Sequence, residues 1–212
     1  MELVIPWWSK PRNTRQYKCI GAVRTDNMGD WNVTESRTEY ETGWYDGGYD
    51  EVEQPDGTTK RYYWAEMPDA VVVVARDGDD VVFVEQYRPA VREKHLELVA
   101  GIVEDGEGYE EAGLRELREE TGFVGDEAHV LQEYRVATGV LRHTRAVVYV
   151  DVEERGETSL GDNEFLSVRR VPADEALNVA RGAPANDATL EGMPANDATL
   201  EGILLAREDG YL

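Results

Sequence analysis

The segment GIVEDGEGYEEAGLRELREETGF, residues 101–123, holds eight acidic residues in a chain whose formal net charge is already −22. Like charges three and four apart on a helix repel one another. The segment is therefore either a solvated acidic face or a place built for positive charge. On a helix running from about Glu110 to Thr121, Glu116 and Glu120 lie one turn apart and about 40° from each other in projection. Glu119 falls about 60° to the other side of Glu116, while Leu114 and Leu117 point roughly the opposite way, toward a core. Three carboxylates crowded on one face raise one another's pKa values in water. A bound divalent cation reverses that effect, because hard oxygen ligands are what Mg²⁺ prefers. Arg115 can reach Glu119 four residues on and restrain it.

The surrounding pattern supplies elements to position these groups. AVVVVA (70–75) and VVFVEQY (81–87) flank the turn RDGDD and read as a hairpin of well-buried strands. HLELVAG (95–101) reads as one further strand ending at Gly101, and a loop then leads into the glutamate-rich helix, which Gly122 can terminate. AHVLQEYRV and RAVVYVDVEE read as two more strands. ADEALNVARG (173–182) and NDATLEGILLAR (196–207) read as helices that open on polar capping candidates. Ahead of these, residues 1–66 read as an irregular start followed by a small antiparallel sheet, with a turn at Pro55-Asp56-Gly57. Near the C-terminus, APANDATLEG (183–192) is followed at once by the near-copy MPANDATLEG (193–202). Two copies are too few for a solenoid. Only the second runs into an apolar stretch, so it is the copy expected to form the last helix, with the first a loop or an extra turn.

Composition limits the remaining possibilities. The 44 Asp and Glu residues are dispersed along the chain and face only 22 Lys and Arg. Dispersed acid with few lysines resembles proteins of salt-accumulating halophiles, where screening over roughly 3 Å at 1 M salt makes self-repulsion cheap. Such a charge disfavours nucleic acid and anionic membrane as partners. Cys19 is the one cysteine, so no intrachain disulfide is expected and a reducing, cytoplasmic setting fits. His95, His129 and His143 are scattered without metal-ligand spacing and read as structural or surface residues. A hydrophobic fraction of 41% is enough for a substantial core.

The spacing of Gly101, Glu107, Arg115, Glu116, Leu117, Glu119, Glu120, Gly122 and Phe123 resembles the box of the Nudix hydrolase family, G-x5-E-x7-R-E-U-x-E-E-x-G-U with U apolar, and fills every fixed place. The resemblance implies an α/β fold, an α/β/α sandwich with a mixed sheet over residues 67–212, plus a small N-terminal antiparallel β-domain over 1–66. It implies Mg²⁺ or Mn²⁺ as cofactor and hydrolysis of a nucleoside diphosphate linked to another moiety. Carried over by position, Glu116, Glu119, Glu120 and the carbonyl of Ala100 are the implied metal ligands, with Gly101, Glu107 and Arg115 in support. VEQYRPAV and LELVAG resemble segments of the ADP-ribose pyrophosphatase branch. That likeness implies substrate contacts at Arg88 (as a phosphate fork) and Glu97, and a general base at Glu164 or Asp162 in SLGDNEF. It also implies a homodimer, often with the N-terminal domain exchanged. The branch commonly carries a proline in the segment that here reads ATGV (137–140), where Gly139 is kept and proline is absent. The likeness to the branch makes ADP-ribose the first expected substrate, and the absent proline is a departure from that branch's pattern. Another nucleotide sugar, NADH or a dinucleoside polyphosphate are alternatives, and a noncatalytic nucleotide-binding module is the rival from another class.

Overall fold

A computed structural model of the chain describes residues 31–156, 165–182 and 196–212. The described chain divides into two compact units, residues 31–36 with 50–62, and residues 37–49 with the described part of 63–212. Three strands open the described chain: β1 (Asn32–Glu41), β2 (Asp46–Glu53) and β3 (Thr59–Glu66). Between β2 and β3 the Pro55-Asp56-Gly57 turn forms as the sequence predicts. Gly57 takes φ 80°, and Asp56 Oδ1 accepts from the Thr58 backbone at 2.9 Å. In the first unit, the Thr34 hydroxyl donates to the Glu51 carbonyl and Ser36 to Asp50.

The larger unit is built on seven strands: β4 (Ala70–Asp77), β5 (Asp80–Arg88), β6 (Glu93–Glu97), β7 (Val99–Ile102), β9 (Ala128–Arg135), β11 (Thr144–Asp151) and β13 (Leu166–Pro172). Short β8 (Phe123–Val124) pairs with β12 (Glu154–Arg155), and β10 (Leu141–Arg142) lies parallel to β3 through Leu141 and Ala65. The main sheet is ordered β13-β5-β4-β11-β9; β11 runs parallel to β4 and the other pairings are antiparallel. Valine runs supply both faces, as buried strands require. Val71 and Val73 face helix α1 (Tyr109–Thr121), whereas Val72 and Val74 face α2 (Ala176–Ala180) and α3 (Asp197–Glu208). The result is the expected α/β/α sandwich on a mixed sheet.

Residues 95–101 depart from the expectation of a single strand. β4 and β5 pair only next to their turn, through Arg76 with Val81 and Asp77 with Asp80. Beyond that they splay, and the chain fills the gap by running antiparallel to β5 as β6 and then antiparallel to β4 as β7. The bend falls at Leu98, and the buried Thr199 hydroxyl on α3 accepts its N–H at 3.0 Å. The bend thus keeps its backbone donor satisfied where the sheet ladder is interrupted. Helix α3 starts where the second repeat copy predicts, with the Asn196 side chain accepting from the Thr199 N–H at 2.8 Å. The first copy, residues 183–192, lies outside the described residues. Helix α2 is shorter than the 173–182 expected, because Pro172 to Glu175 form turns before it and Gly182 closes it at φ 69°.

Candidate active site

Helix α1 is placed by its ends and by two glycines. Gly108 precedes it, and the Glu111 carboxylate accepts the Gly108 N–H at 3.1 Å, satisfying a donor that the first turn leaves open. Gly122 ends the helix in the left-handed conformation, φ 73°, with its N–H on the Arg118 carbonyl. Gly113 lets α1 approach the sheet closely, since a Cβ there would stand 2.6 Å from a Val148 methyl. Gly101 on β7 does the same one turn on. A Cβ on it would overlap the carboxyl group of Glu116, so this carboxylate rests directly on the β7 backbone.

This packing corrects the picture of carboxylates turned away from the core. Glu116 and Glu120 are 7% and 6% exposed and lie on the sheet-facing side of α1 beside fully buried Leu117. The projection separated charge from leucine, but the absent side chains of Gly101 and Gly113 open room for charge on the buried side. Glu119, with its side chain 43% exposed, stands at the rim.

Arg115 ties the loop to the helix. Its Nε and Nη2 donate to the two oxygens of Glu107, each at 2.9 Å, and Nη2 also reaches the Ile102 carbonyl at 2.8 Å. Its Nη1 donates to Glu116 Oε1 at 2.8 Å and to Glu119 Oε2 at 3.2 Å. Glu107 closes the loop on itself by accepting the Glu104 N–H at 3.0 Å. The Arg115 hydrogen bonds hold the Glu107 carboxyl below the usual carboxylate range, and the same bonds raise the guanidinium. The donor set offered to a metal is all oxygen, with two buried carboxylates one turn apart, which fits a hard divalent cation in kind. Among the described residues no three His, Cys, Asp or Glu side chains already stand as a closed metal-holding group. Ala100 precedes Gly101 on β7, with its side chain packed toward the α2–α3 face.

The second part of the site continues along the same face of the sheet. Odd-numbered residues of β6 and β7 face the α1 side, so Glu97, Val99 and Gly101 form one stripe that leads to Glu116. Glu97 is 7% exposed, and its Oε2 accepts Arg88 Nε at 2.9 Å, Arg88 Nη2 at 2.5 Å and Gln86 Nε2 at 3.1 Å. Arg88 and Glu97, singled out from the sequence, are thus brought together as an ion pair. Gln86 and His95 join them unforeseen. The strand register alone could have revealed both, since the two residues pair across β5 and β6. Asp162 and Glu164 lie outside the described residues.

A carboxylate-bearing loop and helix packed on a mixed sheet, with a second layer of helices behind it, defines the class of protein. Residues 66–192 match the NUDIX domain, and the chain belongs to the Nudix family. It is similar to the ADP-sugar pyrophosphatase of Mus musculus, 34% identical over 128 residues that make up 57% of this chain and 59% of that protein. It is also similar to the ADP-ribose pyrophosphatase of Bacillus subtilis, 29% identical over 66% of this chain and 77% of that one. The chain therefore spans about three fifths of the mouse relative's length. Among solved structures, a crystal structure of an ADP compounds hydrolase superposes with a TM-score of 0.72 at 20% identity, covering 87% of this chain and 98% of that one. At that identity the likeness bears on the fold.

Proposed function

We propose that the chain is a divalent-metal-dependent pyrophosphohydrolase that cleaves a nucleoside diphosphate linked to a sugar, with ADP-ribose as first substrate, giving AMP and ribose 5-phosphate. The observation that carries this reading is the pair of buried carboxylates, Glu116 and Glu120, held over the Gly101 backbone inside a box whose every fixed position is filled. Burying two carboxylates side by side is costly unless positive charge compensates them. Arg115 compensates in part and also fixes Glu116 by a charge-assisted bond. The names of the mouse and Bacillus relatives support an ADP-linked sugar as the substrate class.

In this reading Glu116, Glu120, Glu119 and the Ala100 carbonyl hold Mg²⁺ or Mn²⁺. The cation supplies charge neutralisation at the diphosphate and activation of the attacking water. Arg115 and Glu107 keep the loop and helix in register. Glu97 fixes the plane of Arg88, whose remaining Nη1 donors face the diphosphate. The general base is assigned to Glu164 or Asp162, and residues 1–66 to an N-terminal domain of a homodimer. No described helix is long and apolar enough to cross a membrane.

The test is a panel of ADP-ribose, other nucleotide sugars, NADH and dinucleoside polyphosphates, incubated with the protein and Mg²⁺ in high salt and resolved by chromatography. AMP and ribose 5-phosphate from ADP-ribose are expected. Turnover of another member alone moves the specificity and keeps the chemistry. Silence throughout, with Mn²⁺ also tried, overturns the enzymatic reading in favour of a nucleotide-binding module.

A further inference from the structure

His95 stands on the same stripe as Glu97, two residues earlier on β6, and is 8% exposed. Neither ring nitrogen has a hydrogen-bond partner among the described residues. Nδ1 lies 3.8 Å from Glu97 Oε1 and Nε2 lies 3.9 Å from Glu93 Oε2, both too long for hydrogen bonds. A buried imidazole without partners is costly to the fold, and His143 shows the ordinary solution, with Nδ1 2.7 Å from the Pro68 carbonyl. The surroundings of His95 are polar as well. Gln86 pairs with it across β5, Arg88 pairs with Glu93, and the three Arg88 and Gln86 hydrogen bonds to Glu97 all go to Oε2, while Oε1 faces the imidazole. α1 packs on β4, β7, β9 and β11, so these residues continue its face of the sheet beyond the strands it covers.

We propose that His95 contacts the substrate and reads a sugar hydroxyl of the nucleoside diphosphate sugar, an inference that rests on the proposed function. The chemistry of the group selects the ligand. Two carboxylates, Glu93 and Glu97, stand there with one guanidinium, Arg88, a balance that disfavours a terminal phosphate and accepts hydrogen bonds from hydroxyls. An imidazole ring can both donate and accept a hydrogen bond, the complement of a hydroxyl, which also does both. Bound sugar satisfies the ring that the protein leaves unsatisfied. The stability lost in the free protein thus returns as selectivity for hydroxylated substrates.

The test compares wild type with His95→Phe and His95→Asn on three substrates: ADP-ribose, ADP ethyl ester, which lacks the terminal sugar, and ADP-ribose made with 2′-deoxyadenosine. In His95→Phe the kcat/KM ratio of ADP-ribose to one comparator falls roughly five- to tenfold, through KM, and His95→Asn recovers part of it. The comparator that cancels the effect tells which ribose is read. The thermal midpoint of His95→Phe, measured without substrate, rises or holds, because an unsatisfied ring has been replaced by an apolar one. Ratios unchanged in both variants, or a fall in midpoint in both without change in selectivity, overturn the inference and leave the parent reading standing. No turnover of any substrate by wild type overturns the parent reading and this one with it.

Discussion

Replacing Gly101 by alanine separates the placement of a single carboxylate from the stability of the fold. The glycine lies in β7 at a negative or extended φ, so alanine meets no backbone strain there. The added methyl has nowhere to go but the Glu116 carboxyl, since all three of its atoms lie closer to the Cβ position than any real contact allows. Ordinary contact begins at 3.4 Å and the carboxyl carbon stands at 1.9 Å, so the carboxylate must withdraw by about 1.5 Å, more than the roughly 1 Å of misplacement that costs on the order of 10²-fold in rate. That loss corresponds to about 2.7 kcal/mol of transition-state stabilisation. The neighbour that yields is the end of a flexible side chain, and alanine restricts the unfolded chain by about 0.4–1 kcal/mol in favour of folding. The expected result is a kcat near one hundredth of wild type at a thermal midpoint within a few degrees of it. Steady-state turnover at saturating Mg²⁺ and a thermal melt on the same preparation provide the measurement. Full turnover would refute the argument that Glu116 works from the Gly101 cradle. Collapse of the melt would show the glycine to be needed for packing alone.

Two further outcomes follow from the same geometry. Thr199→Val keeps the volume but leaves the Leu98 N–H at the β6–β7 bend without its acceptor, so stability should fall by about 1–3 kcal/mol. A denaturant melt with unchanged midpoint would contradict that role for the hydroxyl. On the acid side, Glu107 and Glu85 have carboxyls held below the ordinary 4.5 by Arg115 and by Arg169 respectively. Their folded-state pKa values are depressed, so the stability they lend is complete above the ordinary value and is lost as pH falls through the lower folded values. Melts from pH 6 downward should show a decline setting in below about pH 4.5. Replacing Glu107 by glutamine should flatten part of it, and an identical pH profile in that variant would count against the Arg115 latch.

The box was legible because its chemistry constrains residue type and interval together, and both ends of α1 and the start of α3 carry capping residues that act locally. Residues 95–101 read as one strand for a physical reason. The alternation of faces runs unbroken through the bend at Leu98, with 95, 97, 99 and 101 on one side and 96, 98 and 100 on the other. Periodicity therefore cannot register that the strand changes partner there; only the splaying of β4 from β5 decides it. The burial of Glu116 and Glu120 escaped the helical projection because it is set by glycines on both packing partners, Gly101 across the gap and Gly113 on the helix. The two-residue β10 carries too short a pattern to be read at all. His95 looked like any scattered histidine, and its significance depends on pairing across the strands with Gln86 beside the Arg88–Glu97 pair.

The central claim is that the buried carboxylates of α1 collect a divalent cation, and Mn²⁺ binding followed by electron paramagnetic resonance tests it most directly. Titrating wild type should withdraw Mn²⁺ from the free signal at micromolar protein and metal. Glu120→Gln, with an unchanged melt, should weaken that binding at least about tenfold and abolish hydrolysis of the substrate found in the panel. Equal Mn²⁺ binding by the two proteins, or full hydrolysis by Glu120→Gln, would contradict the account.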